Sequence, residues 1–249
     1  MKKISRALAV AVLLSVFVHT ASAQTADDVV EKYLGAIGGR ANLGKLKSRH
    51  ITGTVTVSTP GGDLRGTIEI FNQLPNKSRS LMKLDMSAVG MGQTTIDQRF
   101  DGEVGVELDA NQGNREITGN RLDNFKNEFF PSPFLNFKDW GATAEFVRKE
   151  SVGDRETFVL LLRPKAGSVI QCFFDAENYL LVKTIVVVSV PEVGRELQQV
   201  TEFLEYRDQD GIKIPFRVKN SNSILSYTID VTKAEHNMPL DETMFSKPQ

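Results

Sequence analysis

Residues 205–221, EYRDQDGIKIPFRVKNS, carry a tight turn followed by a two-faced strand. Asp210-Gly211 occupies the turn. Beyond it Ile212, Ile214, Phe216 and Val218 fall on one face of an extended chain, and Lys213, Pro215, Arg217 and Lys219 on the other. The next segment repeats the pattern, with Leu225, Tyr227, Ile229 and Val231 set against Ser226, Thr228, Asp230 and Thr232. Two such strands joined by a short turn pair antiparallel, and their dry face needs a cover. Pro215 cannot donate to a ladder, which places its strand at an edge or a bulge. An edge at that point implies a sheet that is not fully closed.

The same period of two runs through most of the chain. HITGTVTVS sets Ile51, Gly53, Val55 and Val57 against three threonines, and LRGTIEIF sets Leu64, Gly66, Ile68 and Ile70 on one face. Further strands are expected near 78–86, 92–100, 103–109, 142–149, 156–163, 168–175, 179–190, 195–208, 212–219 and 223–234. The strand over 179–190 is apolar on both faces apart from Lys183 and Thr184, so its outer side also calls for cover. Long antiparallel runs accumulate twist and curl into a barrel or split into a sandwich.

Two segments depart from the β pattern. TADDVVEKYLGAIGG predicts a helix: Thr25 caps it with Asp28 three residues on, Val30, Tyr33, Leu34 and Ile37 form one stripe, and Gly38-Gly39 stops it. A second short helical piece is expected over 41–47. NRLDNFKNEFFPSPFLNFKDW, residues 120–140, holds five of the fifteen phenylalanines and the single tryptophan, Trp140. Leu122, Phe125 and Phe129 have helical spacing, Asn120 is a candidate cap, and Pro131 and Pro133 end the helix. This aromatic segment reads equally as core plug or as lid.

The N-terminus reads as a secretory signal peptide over residues 1–23. Lys2, Lys3 and Arg6 precede an apolar run, and Ala21-Ser22-Ala23 is a cleavage signal that makes Gln24 the new first residue. Residues 24–249 then form one domain in the periplasm, with no lipid attachment site near the cut. Loss of three cations moves the formal net charge from −1 to −4, too mild a balance to suggest nucleic acid. Cys172 is the only cysteine, so no internal disulfide forms, and its apolar neighbours suggest an inert buried thiol.

Catalytic patterns are poor. His50 and His236 lack metal-ligand spacing to each other or to Cys172, no G-x-S-x-G occurs, and Gly90-x-Gly92 follows no strand–helix pattern. The residues therefore predict neither an enzyme, nor a metal site, nor a cofactor. Met82, Met86 and Met91, near Leu84 and Val89, suit an adaptable apolar binding surface as well as an ordinary core.

The chain resembles the LolA-type family of outer-membrane lipoprotein-sorting proteins. EYRDQDGIKIPFRVKN, an alternating strand and then KAEHNMPLDETMFSKP are similar to the family's closing pattern, and YLGAIGGRANLGKLKS to the helical start of exported members. The resemblance implies a mainly β fold: a strongly curved, incompletely closed antiparallel sheet or barrel of about 11–12 strands, with the N-terminal helix and a short aromatic helix against its concave face. It further implies a hydrophobic cavity between sheet and helices that binds lipid or lipoprotein acyl chains, with envelope membrane proteins as further partners and no span of the membrane. Met82, Leu84, Met86, Phe125, Phe129, Phe130, Ile214, Phe216, Leu225 and Tyr227 are the residues expected to line it. Some members hold their lid helices shut with an arginine at the cavity; no residue is matched to it from the sequence. A secreted β-sheet interaction module without a lipid, and an enzyme without a recognisable motif, are the alternative readings.

Overall fold

The computed structural model describes residues 24–59, 61–110, 113–190 and 194–248. The signal peptide, including Ala23, lies outside the described residues, and Gln24 is the first described residue.

Two helices open the chain: α1 (Ala26–Ala36) and α2 (Gly39–Leu43). Six strands follow, β1 (Ser48–Thr59), β2 (Gly62–Gln73), β3 (Lys77–Asp85), β4 (Gln93–Phe100), β5 (Gly105–Asp109) and β6 (Gly113–Ile117). A third helix, α3 (Gly119–Lys126), leads into an aromatic loop. Seven strands follow: β7 (Thr143–Val152), β8 (Arg155–Arg163), β9 (Ile170–Asp175), β10 (Leu181–Val190), β11 (Arg195–Gln209), β12 (Ile212–Ser221) and β13 (Ser226–His236), and a short 3-10 helix at Glu242–Phe245 comes after them.

All thirteen described strands form one antiparallel sheet in the order β6-β5-β4-β3-β2-β1-β13-β12-β11-β10-β9-β8-β7. The first and last strands meet at its centre, and β6 and β7 are its two unpaired edges. The sheet is strongly curved but not closed. Both edges are poor templates for further pairing: β6 has five residues, and β7 carries Arg148, Lys149 and Glu150 beside a register shift after Phe146.

Curvature has a local cause in β1 and β2. Gly53 and Gly66 share the inward register with Val55, Val57, Leu64 and Ile68, and neighbouring strands close over them. A Cβ on Gly66 would lie 1.9 Å from the Lys83 carbonyl oxygen, and one on Gly53 would lie 2.6 Å from that of Asp230. Only a residue without a side chain permits backbone approach this close.

The N-terminal helix forms as its sequence predicts. Thr25 Oγ1 accepts from the Asp28 N–H at 3.1 Å, and the Asp28 carboxylate accepts from the Thr25 N–H at 3.3 Å. Val29, Val30, Tyr33, Leu34 and Ile37 are buried in the main core with the inner faces of β1, β2, β9, β12 and β13.

Four expectations are corrected. β12 is an interior strand, not an edge. Pro215 sits where the pairing of β12 with β13 has ended, the last pair being Arg217 with Asp230, so there is no β13 partner for it to deprive of a hydrogen bond. On the β11 side the Glu205/Phe216 pair is missing and Glu205 adopts φ 52°, a local irregularity with unchanged register. Second, α3 is capped at Thr118 and ends at Lys126, so Phe129 lies in the following loop rather than on the helix. Third, the expected twelve strands become thirteen because GNREI, residues 113–117, pairs with β5. Fourth, β13 begins at Ser226, which leaves Leu225 exposed in the preceding turn. The outer side of β10 is covered in part: Val182 packs with Val159 and Phe173 in a second small core, while Val187 stays exposed.

Two glycines give opposite expected outcomes in chemical denaturation. Gly66→Ala meets backbone and destabilises by about 1–3 kcal/mol or more. Gly35→Ala, where a Cβ meets nothing within 4 Å near the end of α1, stabilises by roughly 0.5–1 kcal/mol. Equal effects of the two would contradict the tight-curl account.

Candidate functional site

The chain leaves the sheet at one edge, β6, and re-enters at the other, β7. Residues 118–142 make that crossing over the concave face, and they divide into two halves. The later half is plug. Phe134 packs edge-on against Tyr33 of α1 at 5.5 Å and Phe174 of β9 at 5.4 Å, and Phe130, Phe134 and Phe137 are buried. The earlier half, α3 to Phe129, is only half-buried and touches the sheet at few points.

Polar contacts fasten the earlier half. The Arg121 and Arg115 guanidinium groups and the Gln98 amide all donate to the Glu107 carboxylate on the inner face of β5. Burial works to raise the Glu107 carboxyl, but these donors outweigh it and hold it below the usual range. Asn124 Oδ1 accepts from the Ser168 N–H at 2.8 Å, and Asn127 Nδ2 donates to the Ala166 carbonyl at 2.7 Å. The later half is also tied to the helices in exposed positions, where Lys138 meets Asp27 of α1 at 2.6 Å and Arg40 of α2 donates to Leu135 O at 2.6 Å.

Two adjoining cavities lie under this cover. The wider, about 370 Å³, is walled by Phe129, Phe130 and Pro131 of the loop and by Ile170, Val186 and Val188 of β9 and β10, with Asn124, Asn127 and Glu128 at its polar side. The narrower, about 270 Å³, is walled by Tyr33, Ile37, Leu43, Leu46, Phe134, Leu162, Leu181, Phe203 and Ile214. Arg49, Pro131, Pro133 and Ile170 line both. A separate polar depression of about 410 Å³, edged by Gln209, Asp210, Lys233 and Glu235, opens where β12 and β13 have parted. Its lining lacks the apolar wall that an acyl ligand requires.

Arg49 stands where the two apolar cavities meet. It lies on the inner face of β1, directly opposite Asn72 of β2 and His236 of β13. Its Nη2 donates to Asn72 Oδ1 at 3.2 Å, its guanidinium lies 5.3 Å from the Phe130 ring centre, and its Nε has no hydrogen-bond partner. Burial pulls the guanidinium down to about 10, so it stays charged at neutral pH. His236 beside it is buried with neither ring nitrogen hydrogen-bonded; its nearest acid is Asp210, 3.4 Å away. Burial and the Arg49 charge hold that imidazole below its usual value.

Glu128 is the second unmatched charge. Its side chain is exposed at the open side of the cavity, and the protein packed around that opening pushes its carboxyl up to about 7. No cation pairs with it among the described residues, so it and Arg49 do not compensate each other. Burial raises three tyrosines in the main core as well: Tyr33 of α1 to about 12, with Tyr206 and Tyr227 of the sheet also elevated. Cys172, on the wall of the narrower cavity, is buried with its thiol raised.

The residues expected to line a cavity are dispersed. Phe129 and Phe130 wall the wider one and Ile214 the narrower, while Phe216 borders the polar depression with Arg207 4.6 Å above its ring. Met82, Leu84, Met86 and Tyr227 join the main core, Phe125 packs on Phe100 at 5.8 Å, and Leu225 is exposed. Arg49, Asn72, Glu128 and the β9–β10 wall were missed. Arg49 and Asn72 do have a sequence signal: each falls in the apolar register of an alternating strand. His50 faces outward, stacked on Phe71 with its Nε2 3.1 Å from Glu69. Among the described residues no group of His, Cys, Asp and Glu is placed to hold a metal ion, and no helix is long and apolar enough to cross a membrane.

No family profile matches the sequence, nor does any curated protein. Solved structures do. A LolA superfamily protein from Nitrosomonas europaea superposes with a TM-score of 0.58 at 15% identity, covering 90% of this chain and 99% of its own. The chain has the LolA-type fold. A Vibrio parahaemolyticus domain named for outer-membrane lipoprotein sorting superposes with a TM-score of 0.57 at 10% identity, over 88% and 94% of the two chains. A DUF1329 family protein from Desulfovibrio piger gives 0.56 at 12%, over 89% and 97%.

Glu128 sets a pH signature. Its folded value, near 7, lies above the ordinary carboxyl value of 4.5. Its neutral form therefore favours the fold fully below about 4.5, and that contribution is lost as pH rises through about 7. The native protein and Glu128→Gln are expected to match in stability below about pH 4.5, to diverge between about 4.5 and 7 and to stay a constant interval apart above that, with the variant the more stable. Curves that stay parallel between about 4.5 and 7 in chemical denaturation would contradict this placement of the carboxyl.

Proposed function

We propose that the chain is a non-catalytic periplasmic binding protein that carries a lipid, or the acyl chains of a lipoprotein, in the paired cavities beneath residues 118–142. The observation that carries this reading is the uneven cover. Its later half is packed core, whereas its earlier half rests over apolar cavity walls and is fastened mostly by polar contacts. The Asn124 and Asn127 hydrogen bonds of that half contribute roughly 0.5–1.5 kcal/mol each, and the charged Arg121–Glu107 pair about 1.5–3 kcal/mol. An acyl chain gains about 0.8 kcal/mol per buried methylene, so a modest length of chain outweighs several such fastenings. Binding and release by lifting α3 and Phe129, with Phe134 and Phe137 left in place, follows from that balance.

The place of Arg49 supports the same reading. Arg49 lies against Phe130 and lines both cavities, a charge placed where a ligand's polar end would sit. Export through a cleaved signal peptide, with Gln24 as the mature N-terminus, gives such a carrier its compartment. Outer-membrane lipoprotein sorting, the role named for the Vibrio parahaemolyticus domain, is the wider process in which this activity would fit.

Mass spectrometry of an organic extract of the protein, purified from its own envelope, should find copurified lipid; a lipid-free extract favours the interaction-module alternative. Phe129→Asp tests the cover. It is expected to fold with a loss of about 1–2 kcal/mol and to bind a fluorescent acyl probe about tenfold more weakly. Global unfolding would make Phe129 core, and unchanged probe binding would remove this segment from the site.

A further inference from the structure

We infer that the cavity is built for an anionic amphiphile whose single carboxylate or phosphate group pairs with Arg49. The inference rests on the acyl-binding reading above and adds the chemistry of the ligand's head. Buried charges are ordinarily paired or fully hydrogen-bonded, because an unpaired one is costly to desolvate. Arg49 breaks that rule. Its guanidinium offers five N–H donors, of which one reaches Asn72 at 3.2 Å, and the Nε is without a partner. No carboxylate among the described residues lies within ion-pair distance of it.

Its neighbours do not relieve it. His236, across the ladder, carries no negative charge and so is no counter-ion. The Phe130 ring offers a face at 5.3 Å, an attraction that leaves the N–H groups unused. Glu128 opens on the same wider cavity but forms no ion pair with Arg49.

Position makes these unpaired donors specific. Arg49 lines both cavities, so an anion at its guanidinium leaves a tail free to run along Phe129, Val186 and Val188 on one side or Ile37 and Leu46 on the other. A planar fork of donors suits a carboxylate or a phosphate bidentately. Each cavity, at about 370 and 270 Å³, lies at or below the low end of small-molecule sites, which fits one chain better than several.

The test compares a fluorescent fatty acid with its methyl ester on the purified full chain, for the native protein, Arg49→Met and Arg49→Lys, with exposed Arg163→Met as control. A charge-assisted pair predicts that the native protein prefers the acid by about tenfold or more. That preference should vanish in Arg49→Met, survive in part in Arg49→Lys and persist in the control. Competition by hexadecyl phosphate against palmitate then assigns the anion: stronger displacement by the phosphate points to a phospholipid-type head, and stronger displacement by palmitate to a free fatty acid. Equal binding of acid and ester by the native protein overturns the inference while leaving the carrier reading intact. A preference that persists in Arg49→Met also overturns it. If Arg49→Met does not fold, the native ratio and Arg49→Lys decide on the same terms. Binding of neither probe overturns the carrier reading and this inference with it.

Discussion

The fold depends on one topological constraint: the chain must cross from β6 at one edge of a curled sheet to β7 at the other. β1 and β13 meet at the centre, so each half of the sheet grows outward and ends at an open edge. An antiparallel sheet of this length twists and curls, and Gly53 and Gly66 let its central strands approach closely where it does so. The concave face that results is apolar, and α1 alone does not fill it. The crossing segment supplies the remainder, which explains why a third of the phenylalanines fall within residues 120–140. The Tyr33–Phe134–Phe174 cluster joins helix, crossing and sheet into one core. The space left under the earlier half of the crossing is the candidate site.

That division also gives the electrostatics their meaning. Glu107 draws Arg115, Arg121 and Gln98 to one buried carboxylate and so fastens α3 by its polar side. Arg49 and Glu128 have no such partners and face cavity space instead. A fully satisfied buried network fixes a core; a guanidinium with a buried, unpartnered Nε at a cavity wall marks a place where a ligand or water completes the structure. The cover therefore combines a packed half with a polar-fastened half over an incompletely satisfied pocket.

Much of the fold was legible in residue order, because a period of two in β1, β2, β12 and β13 and a capped stripe in α1 are strong local signals. What was not legible has physical causes. GNREI carries no alternation because β6 is a short, wet edge, and it forms only because β5 is there to pair with it. Phe129 has helical spacing from Phe125, yet α3 ends at Lys126, where Asn127 turns its side chain to the Asp123 and Ala166 carbonyls. Pro215 was assigned to an edge because the local rule cannot know that β13 has already parted from β12. The site was less legible still. Arg49 was visible as a charge in an apolar register, but His236 was not: the irregularity between Val231 and Ala234 in β13 shifts the alternation and brings it to the inner face. Glu128 has no local signal at all, since only the crossing of the sheet encloses it.

Trp140 provides the most direct measurement. It is the only tryptophan, and its ring stacks on Phe129 at 4.3 Å beside a pocket of about 180 Å³ that shares Phe129, Phe130 and Pro131 with the wider cavity. Titration of lipid-free protein with a fatty acid brominated along its chain reads contact of that chain with the rim. The account predicts saturable quenching of Trp140 emission, reversed by the unbrominated acid. Quenching that rises linearly without saturation, no stronger than that of free tryptophan, would show that no acyl chain enters beneath the cover and would contradict the central claim.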